Sequence, residues 1–185
     1  MNWFSDFLSW FKPQAIKETI VKPKTVIIND LFVGGIPQCG IDLIKKLEGC
    51  KLQAYLDQKG IATIGVGHTE GVRLGDTCTQ AQADEWLAFD CAWAWQAIRS
   101  RVQVPLTSNQ SGALLSFVFS LGAPQFEKST LLANLNAGNY QSVPNEIKQW
   151  VWITMPDGTR KISLGLANRR KAEAALFIGA DWRQV

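Results

Sequence analysis

The chain has 185 residues, 46% of them hydrophobic, and a net charge of +3. This length is sufficient for one domain with a sizeable core and an extension. The charge is too small to indicate a nucleic-acid-binding protein, although it suits an anionic surface such as a bacterial envelope. No stretch of about 18 apolar residues predicts a membrane span.

The four cysteines argue against a zinc site. Cys39, Cys50, Cys78 and Cys91 form no CxxC pair and no cluster with the one histidine, so we expect neither a metal nor another cofactor. The first residues lack the basic start and continuous apolar run of a secretory signal. We therefore expect the chain to remain in the cytoplasm where it is made, with free and mostly buried thiols.

Residues 2–12 form an amphipathic helical pattern that ends at Pro13. At about 100° per residue, the large apolar residues share one side and the polar residues the other. The apolar residues are Trp3, Phe4, Phe7, Leu8, Trp10 and Phe11. Two interpretations remain open: contact with a lipid or outer-membrane surface, or docking on the protein itself or on a second copy. A single lysine on the polar face is few for a membrane binder.

Residues 13–39 have the composition of a connector, with scattered lysines and prolines. We place a boundary near Gly35–Cys39. Residues 1–35 would then be the N-terminal helix and connector, and residues 36–185 the folded domain.

The pattern of the folded domain predicts an α+β protein. Apolar spacing indicates a helix that ends near Glu48. Gln58-Lys59-Gly60 is a turn signal that predicts a hairpin after this helix. A third strand is expected over Thr69–Asp76. A capping box at Thr79 begins a long helix that would join this small sheet, the only one expected, to a helical lobe. Further helices are predicted over Ser108–Leu121, Leu131–Asn136, Val143–Trp152 and Leu166–Phe177.

Glu48, Asp57 and Thr63 are the candidate catalytic residues. Each has an ordinary explanation, as a solvated charge, a turn residue and a strand former respectively. Together, however, they place two carboxyl groups and a hydroxyl around one hairpin. Acid-assisted hydrolysis of a glycosidic bond needs such a set, because one carboxyl protonates the leaving oxygen while the other helps a water attack.

The spacing of these residues resembles the signature of the phage-type lysozymes, the endolysin muramidases of glycoside hydrolase family 24. Glu48 is followed after eight residues by Asp57, and Asp57 after five by Thr63 and the run Ile64-Gly-Val-Gly-His68-Thr69. Residues 121–138 are similar to the family's second-lobe segment, and residues 165–177 to its C-terminal helix. The resemblance covers roughly residues 36–178.

The resemblance implies a bilobal lysozyme-like fold and an enzyme that lyses the host cell at the end of phage infection. The substrate would be peptidoglycan, cleaved at the β-1,4 bond between N-acetylmuramic acid and N-acetylglucosamine. Glu48 would be the general acid. Asp57 and Thr63 would support the oxocarbenium-like transition state and orient the water, with inversion at the anomeric carbon and without a metal.

The resemblance also implies supporting positions. His68 and Asp90 would form a structural ion pair, and Arg169 would hold the Glu48 carboxyl, with the adjacent Arg170 as the alternative. Glycan contacts are expected from three cleft positions. These are Thr69, Phe119 and Ser129.

Two other functions are consistent with part of the sequence. A lytic transglycosylase would cleave the same bond with the saccharide's own hydroxyl as nucleophile, and so would not need Asp57 and Thr63 to position water. A non-catalytic protein that disrupts membranes through residues 2–12 would not need Glu48.

Overall fold

The computed structural model describes residues 35–57, 60–155 and 158–185. The amphipathic pattern of residues 2–12 and most of the expected connector lie outside these ranges. The elements of the first part are a helix, two strands and a long helix. They are α1 (Gln38–Glu48), β1 (Lys51–Leu56), β2 (Ala62–Gly65) and α2 (Gln80–Arg101).

The second part is mostly helical. Its elements are α3 (Ser108–Leu121), α4 (Ala123–Glu127), α5 (Thr130–Asn136), α6 (Val143–Lys148), β3 (Trp152–Thr154), β4 (Arg160–Ile162) and α7 (Leu164–Phe177), followed by a 3-10 turn at Trp182–Gln184. Within the described residues, no helix has both the length and the apolar character to cross a bilayer.

Strands β1 and β2 form an antiparallel pair directly after α1. The third strand expected over Thr69–Asp76 is wrong, since this segment forms turns and loops. The residue after it, Thr77, makes an isolated bridge to Gln53. Two left-handed glycines, Gly71 and Gly75, interrupt the extended chain there, with φ of 72° and 99°. The sheet beside α1 therefore has two strands.

Helix α2 begins at the predicted capping box and joins the two parts of the fold. The Thr79 hydroxyl accepts from the Gln82 backbone, and the Gln82 side chain accepts from the Thr79 backbone. At about 1.5 Å per residue, its 22 residues extend about 33 Å. The helix packs on β2 and on α3.

Helix α3 lies at the centre of the helical lobe, between α1 and α7. The apolar side chains from Ala113 to Val118 are fully buried. Helices α1 and α3 approach closely at two glycines, Gly40 and Gly112. The approach is so close that a Cβ on Gly40 would lie 2.8 Å from the Gly112 Cα. This contact fixes the direction of α1 and hence the location of its last residue, Glu48.

A second hairpin replaces the end of one predicted helix. The helix expected over Val143–Trp152 ends at Lys148, and β3 pairs with β4 across a turn in which Met155 N–H donates to Thr159 O at 2.8 Å. The run from Val151 to Thr154 is rich in β-branched and aromatic residues, which favour a strand beside such a turn. The sheet beside α1 is therefore not the only sheet.

Candidate active site

Glu48 is the last residue of α1, and its side chain is held from the far end of the chain. Gly49 closes the helix with φ of 70°, a conformation that favours glycine. The Glu48 side chain is 34% exposed, and its Oε1 accepts from Arg169 Nη1 at 2.5 Å. The guanidinium thus orients a carboxyl that still reaches solvent.

Arg169 belongs to a buried network of opposite charges. The carboxylate of Glu173 is fully buried and accepts from Arg169 Nε at 3.2 Å, from Arg170 Nη1 at 2.5 Å and from Ser116 Oγ at 2.8 Å. Together with Glu48, the network contains two arginines and two glutamates, so its formal charges balance. Arg170 does not bind Glu48, since its other donors reach Trp150 O and Ser120 Oγ.

Asp57 and Thr63 both form hydrogen bonds with Ile61, in the β1–β2 connection. The Ile61 carbonyl accepts from the Asp57 backbone N–H at 2.9 Å and from the Thr63 hydroxyl at 3.0 Å. The Asp57 carboxylate in turn accepts from Ile61 N–H at 2.8 Å. Asp57 is half-buried, whereas Thr63 is 3% exposed. Because the Thr63 proton is engaged, its oxygen can act as an acceptor.

The single histidine lies against α2. His68 Nδ1 and Asp90 Oδ2 are 2.8 Å apart, and Trp86 stacks on the imidazole with ring centroids 4.8 Å apart. His68 is 8% exposed. The structure thus brings together the two residues expected to pair, in a buried environment that links the hairpin region to α2.

The three expected glycan contacts differ in exposure. Thr69 is exposed, and Phe119 is half-buried and stacked on Trp93 with ring centroids 6.4 Å apart. Ser129 is 7% exposed, and its hydroxyl caps α5 by accepting from Leu132 N–H while donating to Phe126 O. Ser129 also lines a surface cavity of about 570 Å³, together with Pro124, Gln125, Lys128, Thr130 and Trp150.

The cysteines are less buried than expected. Only Cys91 is buried; Cys39 and Cys78 are half-buried, and Cys50 is exposed. Burial raises the pKa of the Cys91 thiol to about 12. Within the part of the chain that the structure describes, no group of three His, Cys, Asp or Glu residues could hold a metal ion.

Glu173 and Ser116 hold the arginine of the site, but they are not among the site residues predicted from the sequence. Two signals were available. Glu173 follows Arg169 and Arg170 at helical spacings of four and three, which predicts pairs on one face. Ser116 is a polar residue in the middle of an apolar helix, where a buried hydroxyl needs a partner.

Comparison with known proteins identifies the family. A family model described as phage lysozyme matches residues 45–173, which include Glu48, Asp57, Thr63 and Arg169. The chain belongs to the phage lysozyme family. As a phage lysozyme it is a peptidoglycan-hydrolysing enzyme of the endolysin type, so the predicted family, α+β lysozyme-like fold and enzymatic activity are confirmed.

Individual relatives agree with this assignment. The phage lysozyme described here is 41% identical over 145 residues to an endolysin of Acyrthosiphon pisum secondary endosymbiont phage 1, covering 78% of this chain and 99% of the relative. An endolysin of Salmonella phage P22 is 40% identical over 144 residues, which are 75% of this chain and 94% of that one. The solved endolysin of Escherichia coli O157:H7 phage FAHEc1 matches with a TM-score of 0.76 at 32% identity, covering 80% and 96% of the two chains.

Proposed function

We propose that Glu48 is the general acid with which this lysozyme cleaves the β-1,4 bond between N-acetylmuramic acid and N-acetylglucosamine. The observation that carries the proposal is the position of the Glu48 carboxyl. It stands at the end of α1, partly exposed, fixed by Arg169 and joined through two residues to the hairpin that bears Asp57 and Thr63. A positioned acid beside a second carboxylate is the requirement for glycoside hydrolysis.

Asp57 and Thr63 act on the other side of the scissile bond. The Asp57 carboxylate supports the positive charge that develops on the sugar ring and accepts a proton from the attacking water. Thr63 helps to orient that water, because its hydroxyl proton is given to Ile61 O and its remaining lone pair can accept from the water. The shared bonds to Ile61 hold both groups in one local geometry.

Arg169 is a positioning residue, and the pair of His68 and Asp90 is structural. The guanidinium of Arg169 fixes the Glu48 side chain. It also pairs with Glu173, so that Glu48 is not the only counter-ion of Arg169. His68 and Asp90 tie the loop after β2 to α2 and take no part in proton transfer.

Three residues complete the proposed glycan cleft. Thr69 and Phe119 contact the sugars directly, since Thr69 is exposed and Phe119 is only half-buried. Ser129, whose hydroxyl is engaged in capping α5, acts by holding the wall of the adjacent cavity.

The test of the general acid is Glu48→Gln. This amide cannot donate the required proton, so we expect clearing of chloroform-permeabilised Gram-negative cells to fall by at least about a hundredfold. The matched control is Glu85→Gln, which changes an exposed glutamate of α2. Full clearing by a folded Glu48→Gln variant would exclude this role and would mean that another group supplies the proton.

The products distinguish hydrolysis from transglycosylation. Mass spectrometry of digested wall should show a muramic reducing end that has gained water, and proton NMR should show its inverted anomer first. An anhydro-muramic product would instead establish a lytic transglycosylase.

Residues 2–12 are proposed to contact lipid or the outer-membrane surface. The support is the sequence pattern of Trp3, Phe4, Phe7, Leu8, Trp10 and Phe11 on one side of a helix. Residence in the host cytoplasm until lysis, followed by action on the wall, stays a prediction. Fractionation of infected cells before and after lysis would test it.

A further inference from the structure

We propose that Trp93 and Phe119 form an aromatic platform on the floor of the glycan cleft, against which a sugar ring of the peptidoglycan strand stacks. This inference rests on the proposed function and adds a substrate-binding residue, Trp93, to it. The first observation is the geometry of the pair. Their rings are stacked, with centroids 6.4 Å apart and planes inclined by 20°, so Phe119 supports the indole of Trp93.

The second observation is exposure. Trp93 is 46% exposed although it lies in the middle of α2, whereas Trp95, two residues later, is 7% exposed in the core. Phe89, one turn before Trp93, is 67% exposed. Exposed aromatic side chains add nothing to solubility, and exposed apolar patches on soluble proteins commonly mark binding sites.

The third observation is the position of Trp93 on α2, relative to the residues that contact His68. At about 100° per residue, Trp86, Asp90 and Trp93 fall within roughly 60° of one another on α2. Trp86 and Asp90 contact His68, the residue before the exposed Thr69. Trp93, about 4.5 Å further along the axis, contacts Phe119 on α3. One helix face therefore runs between two proposed glycan contacts.

The chemistry of the occupant follows from this position. The axial C–H groups of a β-1,4-linked pyranose form a flat apolar face, while its hydroxyl and acetamido groups point sideways. An indole offers a large, rigid apolar surface that loses little conformational entropy on binding. The platform carries no charge of its own, so it fits the neutral backbone of the glycan strand better than its charged stem peptides.

The test uses the full chain with Trp93→Ala and Trp93→Phe. A lost stacking contact should raise KM for soluble glycan strands roughly three- to tenfold in Trp93→Ala, with kcat unchanged. Trp93→Phe should recover most of the affinity, because an aromatic face remains. The matched control is Trp152→Ala, which removes a tryptophan of similar exposure, 49%, from β3.

Binding measured without cleavage separates this inference from the proposed acid. Calorimetry with an oligomer of β-1,4-linked N-acetylglucosamine, in the Glu48→Gln background, should show the same loss of affinity for Trp93→Ala and none for Trp152→Ala. Unchanged affinity in a variant with wild-type thermal stability would overturn the platform, as would a fall in kcat with KM unchanged. Neither result would touch the role of Glu48, which the activity of Glu48→Gln decides independently.

Discussion

The carboxylate of Glu173 has no exposure to solvent. Hydrogen-bond donors from Ser116, Arg169 and Arg170 replace the water molecules that would otherwise hydrate it. A buried charge is tolerated only when counter-charges and hydrogen bonds replace its hydration. Because Arg169 also binds Glu48, the orientation of the proposed acid depends on a residue that lies far from it in sequence.

Replacing this carboxylate should therefore be costly. Glu173→Gln leaves two buried guanidinium groups with one anion fewer and places an amide donor against them. We expect the free energy of unfolding to fall by about 3–5 kcal/mol, together with a loss of wall-clearing activity. Urea denaturation followed by circular dichroism measures the first effect, and turbidity assays the second.

A surface glutamate provides the comparison. Glu127 pairs with Arg101 at 3.2 Å, but both side chains are at least one-third exposed. Glu127→Gln should change stability by less than about 1 kcal/mol, because solvent screens the pair. Equal losses in the two variants would show that burial does not set the strength of the network.

At this scale the sequence singles out the candidate catalytic residues more readily than the residues that contact them. Glu48, Asp57 and Thr63 lie close together along the chain, and family spacing alone singled them out. The choice between Arg169 and Arg170 stayed open, since helical spacing cannot tell which of two adjacent side chains turns toward α1. The bond from Ser116 to Glu173 joins residues 57 positions apart and depends on how α3 and α7 pack.

Among the elements, α1 depends on its close crossing with α3. Gly40 and Gly112 let the two backbones approach until a Cβ on Gly112 would lie 2.5 Å from Cys39 Sγ and 2.8 Å from Gly40 N. A side chain at either position would push α1 outward. The last residue of α1 is Glu48, so a shift at the crossing is transmitted to the proposed acid.

Gly112→Ala tests this dependence. The added methyl group meets backbone that cannot move independently, and we expect a loss of about 1–3 kcal/mol in unfolding free energy and a lower kcat. Gly165→Ala is the matched control, because a Cβ there meets only Ser163 Oγ, at 3.8 Å, near the start of α7. This variant should be neutral or more stable by about 0.5 kcal/mol. A stable, fully active Gly112→Ala would refute the argument.

Local signals located most elements, and they failed where strands are short and exposed. The capping box at Thr79 and the apolar run of α3 predicted both helices closely. Strands β3 and β4 have three residues each, all exposed, and so show no alternation of buried and exposed positions. Without that alternation, the segment before the turn is hard to distinguish from the end of a helix.

For the whole molecule, the proposed active site draws on both ends of the folded domain. Glu48 comes from α1, Asp57 and Thr63 come from the hairpin, and Arg169 comes from α7. All of these lie after residue 35, the boundary that we propose for the N-terminal extension. Wall hydrolysis and envelope contact should therefore be separable.

Removal of residues 1–13 should leave activity on permeabilised cells unchanged. It should lower binding to vesicles that contain anionic phospholipid, and it should lower killing of intact Gram-negative cells, because the aromatic face is lost. A full-length variant with Trp3, Phe7 and Trp10 changed to serine controls for chain length and should behave like the truncated protein. Vesicle binding equal to that of the unmodified chain would exclude a lipid contact.

The charge-balanced network around Glu173 also limits which segments of this lysozyme can be replaced by recombination with a relative. Helix α7 supplies both arginines and the buried glutamate, but the hydroxyl that completes the set comes from Ser116 on α3 and the outer carboxylate from α1. A crossover between these helices would combine the two arginines of α7 from one parent with α1 and α3 from the other parent. Functional hybrids should therefore take all three helices from the same parent, whereas the exposed β3–β4 hairpin could be exchanged by itself.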